Sequence, residues 1–85
     1  MLHMTLEADY AVRIVELLAA SQKRTDAHTI SEMTQVPLRF ALKILRKLVG
    51  SGLVQSYKGA KGGYQVTRDP SSITLREVIE SVEGP

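Results

Sequence analysis

Between Leu38 and Arg68 the chain carries seven bases and no acid: Arg39, Lys43, Arg46, Lys47, Lys58, Lys61 and Arg68. All nine Asp and Glu residues lie outside that stretch. The formal net charge is only +2, so a nearly neutral molecule holds one strongly positive segment. Ammonium and guanidinium groups gathered without counter-charges attract polyanions, by steering and by releasing counterions condensed on a phosphate backbone. Arg and Lys also suit the O6 and N7 acceptors of guanine, where one good contact discriminates by roughly 1–3 kcal/mol. A lone basic helix is more often a solvated face. A second basic segment close behind it, again without acids, favours a nucleic-acid surface.

That second segment is Lys58-Gly59-Ala60-Lys61-Gly62-Gly63. Glycines let backbone N–H groups approach a phosphate closely, and the two lysines add charge. The plain alternative is a flexible hairpin turn. The loop is not a Walker loop, because no Gly-Lys-Ser/Thr follows and the next element reads as a strand. Gly59-Ala60-Lys61-Gly62 matches the bare GXXG of an RNA-binding KH domain, but that loop joins two helices rather than two strands.

Catalytic chemistry finds little to work with. There is no cysteine, and the two histidines, His3 and His28, read as a terminal surface residue and a loop residue. Ser31, Ser51, Ser56, Ser71 and Ser72 fit caps and turns, with no His or Asp spaced to complete a triad. The chain is expected not to be an enzyme, to bind no metal and to need no cofactor of its own. Three tyrosines and one Phe, with no Trp, are too sparse for a single-strand stacking platform. Tyr64 is expected to pack the hairpin against the domain, and Tyr57, beside Lys58, to touch a phosphate.

The elements that must position these groups follow from periodicity. Residues 6–21 repeat apolar side chains at three- and four-residue spacing, with Thr5 as N-cap and Glu7 and Asp9 in the first turn. Residues 21–28 read as a loop. Thr29-Ile30-Ser31-Glu32 fits a capping box opening a helix over 30–35, with Ile30 and Met33 inward. Val36-Pro37 interrupts it and Pro37 starts the next helix, 38–51, on which Leu38, Ala41, Ile44, Leu45 and Leu48 form the apolar stripe. Gly52 is placed to stop that helix in a left-handed turn. Strands are expected at 53–57 and 64–67, then a turn at Asp69-Pro70-Ser71-Ser72. A second capping box, Thr74 to Glu77, opens a helix over 74–82 with Leu75, Val78, Ile79 and Val82 inward.

This order predicts a mainly α fold with a small β-hairpin: one winged helix-turn-helix domain over residues 1–85. Apolar content of 44% and charged content of 24% suit a soluble globular chain. No apolar run approaches the ~20 residues of a membrane span. The N-terminal ten residues lack a signal peptide's pattern, so a cytoplasmic location is expected. The expected DNA-binding residues are Pro37, Leu38, Arg39, Phe40, Lys43, Arg46 and Lys47 on the second helix of the motif. Thr29 joins them at the cap of the first helix, and Tyr57, Lys58, Gly59, Lys61, Gly62 and Gly63 in the wing. Arg39 and Lys43 would lie nearest the base edges, while Arg46 and Lys47 grip phosphates. The rival readings are a winged-helix protein-interaction module that binds an acidic partner, and a nonspecific RNA binder.

Four stretches carry a family likeness: Ala8-Asp9-Tyr10-Ala11-Val12-Arg13, Gly50-Ser51-Gly52-Leu53-Val54, residues 58–64 ending in Gly62-Gly63-Tyr64, and residues 73–85 ending in Val82-Glu83-Gly84-Pro85. In order and spacing the whole chain resembles the Rrf-type repressors, the group that includes IscR, NsrR and CymR. The resemblance implies a homodimeric bacterial transcription regulator, expected to be a repressor, on pseudo-palindromic duplex DNA. It implies that the helix at 38–51 reads the major groove and that the wing at 58–63 meets the adjacent minor groove or backbone. Lys58 then takes the place of a wing arginine. Some members have an acidic base-reading residue where this chain has Leu42, so the operator should differ. Regulated genes related to iron–sulfur clusters, nitric oxide or cysteine would follow. Members usually continue into a long dimerisation helix, and cluster-binding ones into three cysteines. That C-terminal sensor region is expected to be absent from this sequence, and an iron–sulfur cluster belongs to a longer form. Asp9 matches the position of a carboxylate cluster ligand in some nitric-oxide-sensing members. The simpler reading of Asp9 is a first-turn acid facing the helix dipole.

Overall fold

The structure is a computed structural model, and it describes residues 4–84. His3, expected at the surface, lies outside the described residues. Helix α1 spans Leu6–Ser21, α2 Ala27–Thr34 and α3 Leu38–Gly50. Strands β1 (Val54–Tyr57) and β2 (Gly63–Val66) follow, then a single 3-10 turn at Pro70–Ser72 and helix α4 (Leu75–Glu83). The strands form one antiparallel hairpin in which Val54 faces Val66 and Tyr57 faces Gly63. This is the winged helix-turn-helix arrangement.

Helix α1 is the central element, because α2, α3, α4 and β2 all pack on it. Ala8, Ala11, Ile14, Val15 and Leu18 are buried along it, and the two alanines allow close approach by its neighbours. Thr5 caps it by accepting from the Ala8 N–H at 3.1 Å. Ile30, Val36, Ala41, Ile44, Leu45, Leu48, Leu53, Val54, Val78 and Val82 complete the core. Helix α4 closes the bundle through the expected capping box, in which the Thr74 side chain accepts from the Glu77 N–H and Glu77 accepts from the Thr74 N–H.

Three expectations change. Helix α2 starts three residues early, since Asp26 is its N-cap and accepts from the Thr29 N–H at 2.9 Å. Thr29 therefore sits inside the first turn, and its hydroxyl donates to the other Asp26 oxygen at 3.0 Å. Met33 is 64% exposed; the inward position goes to Thr34, whose hydroxyl donates to the Ile30 carbonyl at 2.6 Å. Leu75, the first residue of α4, is 48% exposed rather than inward, and the buried face of the helix runs through Val78 and Val82.

Candidate nucleic-acid interface

The angle between α2 and α3 is set by a three-residue turn, Gln35 to Pro37. Gln35 adopts a left-handed conformation (φ 60°), which reverses the chain. Val36 is then buried, its N–H donates to Thr34 Oγ1 at 3.3 Å, and its carbonyl accepts from the Ser31 hydroxyl at 2.6 Å. Pro37 precedes the helix in extended backbone, and no side chain caps the first turn of α3. The N–H groups there stay open at the positive end of the helix dipole.

On α3, Ala41, Ile44, Leu45 and Leu48 face the core, and Arg39, Lys43 and Arg46 are exposed together on the other side. These three make no ion pair with another described residue. Arg39 and Lys43 are i, i+4 neighbours of like charge, an arrangement that costs a helix a few tenths of a kcal/mol in isolation. A polyanion docked on that face removes the cost. Phe40 is 48% exposed at the edge of this face, with one side of its ring 6.2 Å from the Tyr10 ring of α1. Leu38 is half-buried and Leu42 is exposed.

The wing tip, Lys58 to Lys61, is exposed throughout. Gly62 and Gly63 act on shape. A side chain at Gly62 would put its Cβ 2.3 Å from the Tyr57 carbonyl oxygen, and Gly63 has φ +132° with Thr25 backbone 2.8 Å from where a Cβ would stand. Thr25, in the loop after α1, exchanges two backbone hydrogen bonds with Tyr64, at 3.0 and 2.9 Å. The α1–α2 loop thus lies along the outer edge of β2. Tyr64 is half-buried against the core, as the sequence predicts. Tyr57 carries on its face the guanidinium of Arg24, 3.6 Å from the ring centroid.

The bases of residues 38–68 therefore divide. Lys47 donates to Glu7 at 2.7 Å and to the Val82 carbonyl at 3.0 Å, tying α3 to α1 and α4. Lys47, expected beside Arg39 and Lys43, is thus engaged with α1 and α4. Arg68 pairs with Glu77, and that pair together with the Thr74 N–H holds the Glu77 carboxyl below its ordinary value. Arg39, Lys43, Arg46, Lys58 and Lys61 make no ion pair among the described residues. Arg24 joins them from outside the acid-free stretch. The sequence offered one signal for it, an arginine in a short polar loop ahead of the motif.

Asp9, the cluster-ligand candidate, pairs instead with Arg13 at 2.8 Å. The sequence has no cysteine, and among the described residues no three His, Asp or Glu side chains gather as a metal-binding group. The donors present do not fit a cluster. No helix of the described residues is long and apolar enough to cross a membrane.

The Rrf2 family model, described as iron-dependent transcriptional regulator, matches residues 4–85. A putative HTH-type transcriptional regulator of Mycobacterium tuberculosis is 31% identical over 86 residues, covering 99% of this chain and 53% of its own length. The putative HTH-type regulator YwgB of Bacillus subtilis is 35% identical over 78 residues, covering 89% of this chain and 50% of its own length. The chain thus spans about half the length of these curated relatives. Among solved structures, CymR, described as the global cysteine regulator of B. subtilis, superposes with a TM-score of 0.92 at 29% identity, over 100% of this chain and 67% of that one. IscR of T. potens superposes with a TM-score of 0.89 at 27% identity, over 98% of this chain and 62% of that one.

Proposed function

The chain belongs to the Rrf2 family of transcriptional regulators, and from that premise we propose that it binds duplex DNA as a homodimer at a pseudo-palindromic operator and represses transcription. The N-terminal half of α3 enters the major groove, with Arg39 and Lys43 at the base edges and Arg46 on phosphate. The β1–β2 wing sets Lys58 and Lys61 on the adjacent backbone or minor groove. Two half-sites about one helical turn apart, roughly 34 Å, would match a two-fold protein. The likeness to CymR supports genes of cysteine metabolism as one target class beside iron–sulfur and nitric-oxide functions. In this reading the domain works on DNA without a cofactor of its own.

One observation carries the proposal: the bases are sorted by partner. Lys47 and Arg68 are bound to Glu7 and Glu77, while Arg39, Lys43 and Arg46 on α3 and Lys58 and Lys61 in the wing pair with no acid among the described residues. Fluorescence anisotropy with labelled duplex at several salt concentrations tests it. Neutralising about four phosphates per subunit gives a log–log slope near −3.6 per subunit. Arg39→Ala and Lys43→Ala should relax sequence preference, each by roughly 1–3 kcal/mol, while Lys58→Ala and Lys61→Ala weaken all sequences alike. Absent or salt-insensitive binding at low salt would falsify the reading, and capture of an acidic protein without DNA affinity would replace it with the interaction-module reading.

A further inference from the structure

We infer that Arg24, in the loop between α1 and α2, is a phosphate-binding residue of the wing, held ready by Tyr57. The inference rests on the DNA-binding reading above and adds a contact from outside both the helix-turn-helix and the hairpin.

The loop belongs physically to the wing. Thr25 is bonded to Tyr64 in both directions, and Gln65 Nε2 donates to the Gln22 carbonyl at 3.0 Å. Gly63 makes this closeness possible, since any Cβ there would meet the Thr25 backbone at 2.8 Å. Arg24 is exposed, its guanidinium lies 3.6 Å over the Tyr57 ring, and one Nη donates to the Lys61 carbonyl at 3.5 Å. Three cations, those of Arg24, Lys58 and Lys61, are thereby gathered at one end of the hairpin. None of the three has an ion-pair partner among the described residues.

The stack leaves the arginine's donors usable. A guanidinium lying on a ring engages through its face, whereas its five N–H donors point outward in its own plane. Only one direction is taken by the Lys61 carbonyl. The remaining edge has the fork geometry that meets two phosphate oxygens at once. A free arginine side chain in a loop would lose rotamer entropy on binding. Here the tyrosine and the Lys61 carbonyl have already restricted it, which favours binding by preorganisation.

The test is anisotropy with the whole chain and a fluorescein-labelled duplex of mixed sequence, titrated between about 50 and 200 mM salt. Arg24→Ala should lower the slope by about 0.9 per bound subunit and weaken binding roughly five-fold near 0.15 M salt, whatever the sequence. Arg24→Lys should keep the slope and lose part of the affinity, because an ammonium retains the charge without the planar stack. Arg24→Gln carries the test if the alanine variant does not fold, and its slope should fall by the same amount. A slope unchanged in Arg24→Ala or Arg24→Gln overturns the inference and leaves Arg24 as a strut, whose loss would show only as a lower Tm. If the wild type itself gives no salt-dependent binding, the DNA reading fails first, before any variant is compared, and this inference falls with it.

Discussion

A methyl group added at Gly62 would stand 2.3 Å from the carbonyl oxygen of Tyr57 and 2.9 Å from that of Gly59. Both are backbone atoms inside the hairpin turn, so neither can swing aside as a side chain would. Gly62→Ala should therefore destabilise the domain by roughly 1–3 kcal/mol. For a chain of this size that is a fall in Tm of at least several degrees. Gly59→Ala is the control: φ is +94°, but nothing lies within 4 Å of its Cβ, so only the left-handed backbone is penalised, by roughly 1–2 kcal/mol. Urea unfolding of the two variants checks the order, and Gly62→Ala as stable as Gly59→Ala would contradict it. The glycine run was legible in the sequence as a hairpin loop between two lysines. Which glycine serves conformation and which serves close approach was not: at Gly62 that depends on how the turn folds back on the Tyr57 and Gly59 carbonyls, and at Gly63 on Thr25, distant in sequence and adjacent in space. The same is true of Arg24: its partner Tyr57 is 33 positions away, and no local pattern links them.

At the scale of elements, helix starts are the part the sequence left ambiguous. Thr29-Ile30-Ser31-Glu32 and Asp26-Ala27-His28-Thr29 both offer a capping side chain with a donor N–H three residues on. Asp26 prevails because starting there adds a turn whose Ala27 packs against the core. Upstream of Thr74, by contrast, Ser71 and Ser72 are taken up in the 3-10 turn that Asp69 caps, and the Thr74 box is seen as read. These caps give a pH dependence with a definite sign. The Thr29 N–H and hydroxyl hold the Asp26 carboxyl below its ordinary 3.8, and the Ser71 N–H and hydroxyl do the same for Asp69. Glu77, held by Arg68 and Thr74, lies below its ordinary 4.5. A carboxyl whose folded pKa is depressed contributes stability above its unfolded value and loses it as pH falls through the folded one. Tm should thus hold nearly level from neutral pH to about 5, then decline through and below the range of these ordinary carboxylate values. Asp26→Asn can still cap, but it has no charge to lose, so its acid limb should be shallower than the wild type's. Thermal melts across this range decide it; identical acid limbs would show that Asp26 contributes nothing to the pH dependence.

For the molecule as a whole, one positive segment in the sequence becomes two populations in space. Helix periodicity puts Arg39, Lys43 and Arg46 opposite the core stripe, and they are exposed there together. The charge map could not sort Lys47 and Arg68 from the rest, because their partners, Glu7 and Glu77, come from α1 and α4. A molecule that binds DNA through one surface and braces its fold with the remaining bases should respond to charge removal in two distinct ways. Lys58→Ala and Lys61→Ala remove solvated cations, so they should reduce the salt slope by about 0.9 per contact and move Tm by little. Lys47→Ala strips Glu7 and the Val82 carbonyl of a donor that joins three helices. The pair is partly exposed, so the loss is about 1 kcal/mol rather than the several of a buried ion pair. That corresponds to a Tm lower by roughly 4–8 °C. The salt slope of the folded Lys47→Ala protein should equal the wild type's, since the proposed phosphate contacts are untouched. Measuring slope and Tm on the same variants separates the two populations. A Lys47→Ala slope reduced as far as that of Lys58→Ala would return Lys47 to the DNA face and undo the division on which the proposed interface rests.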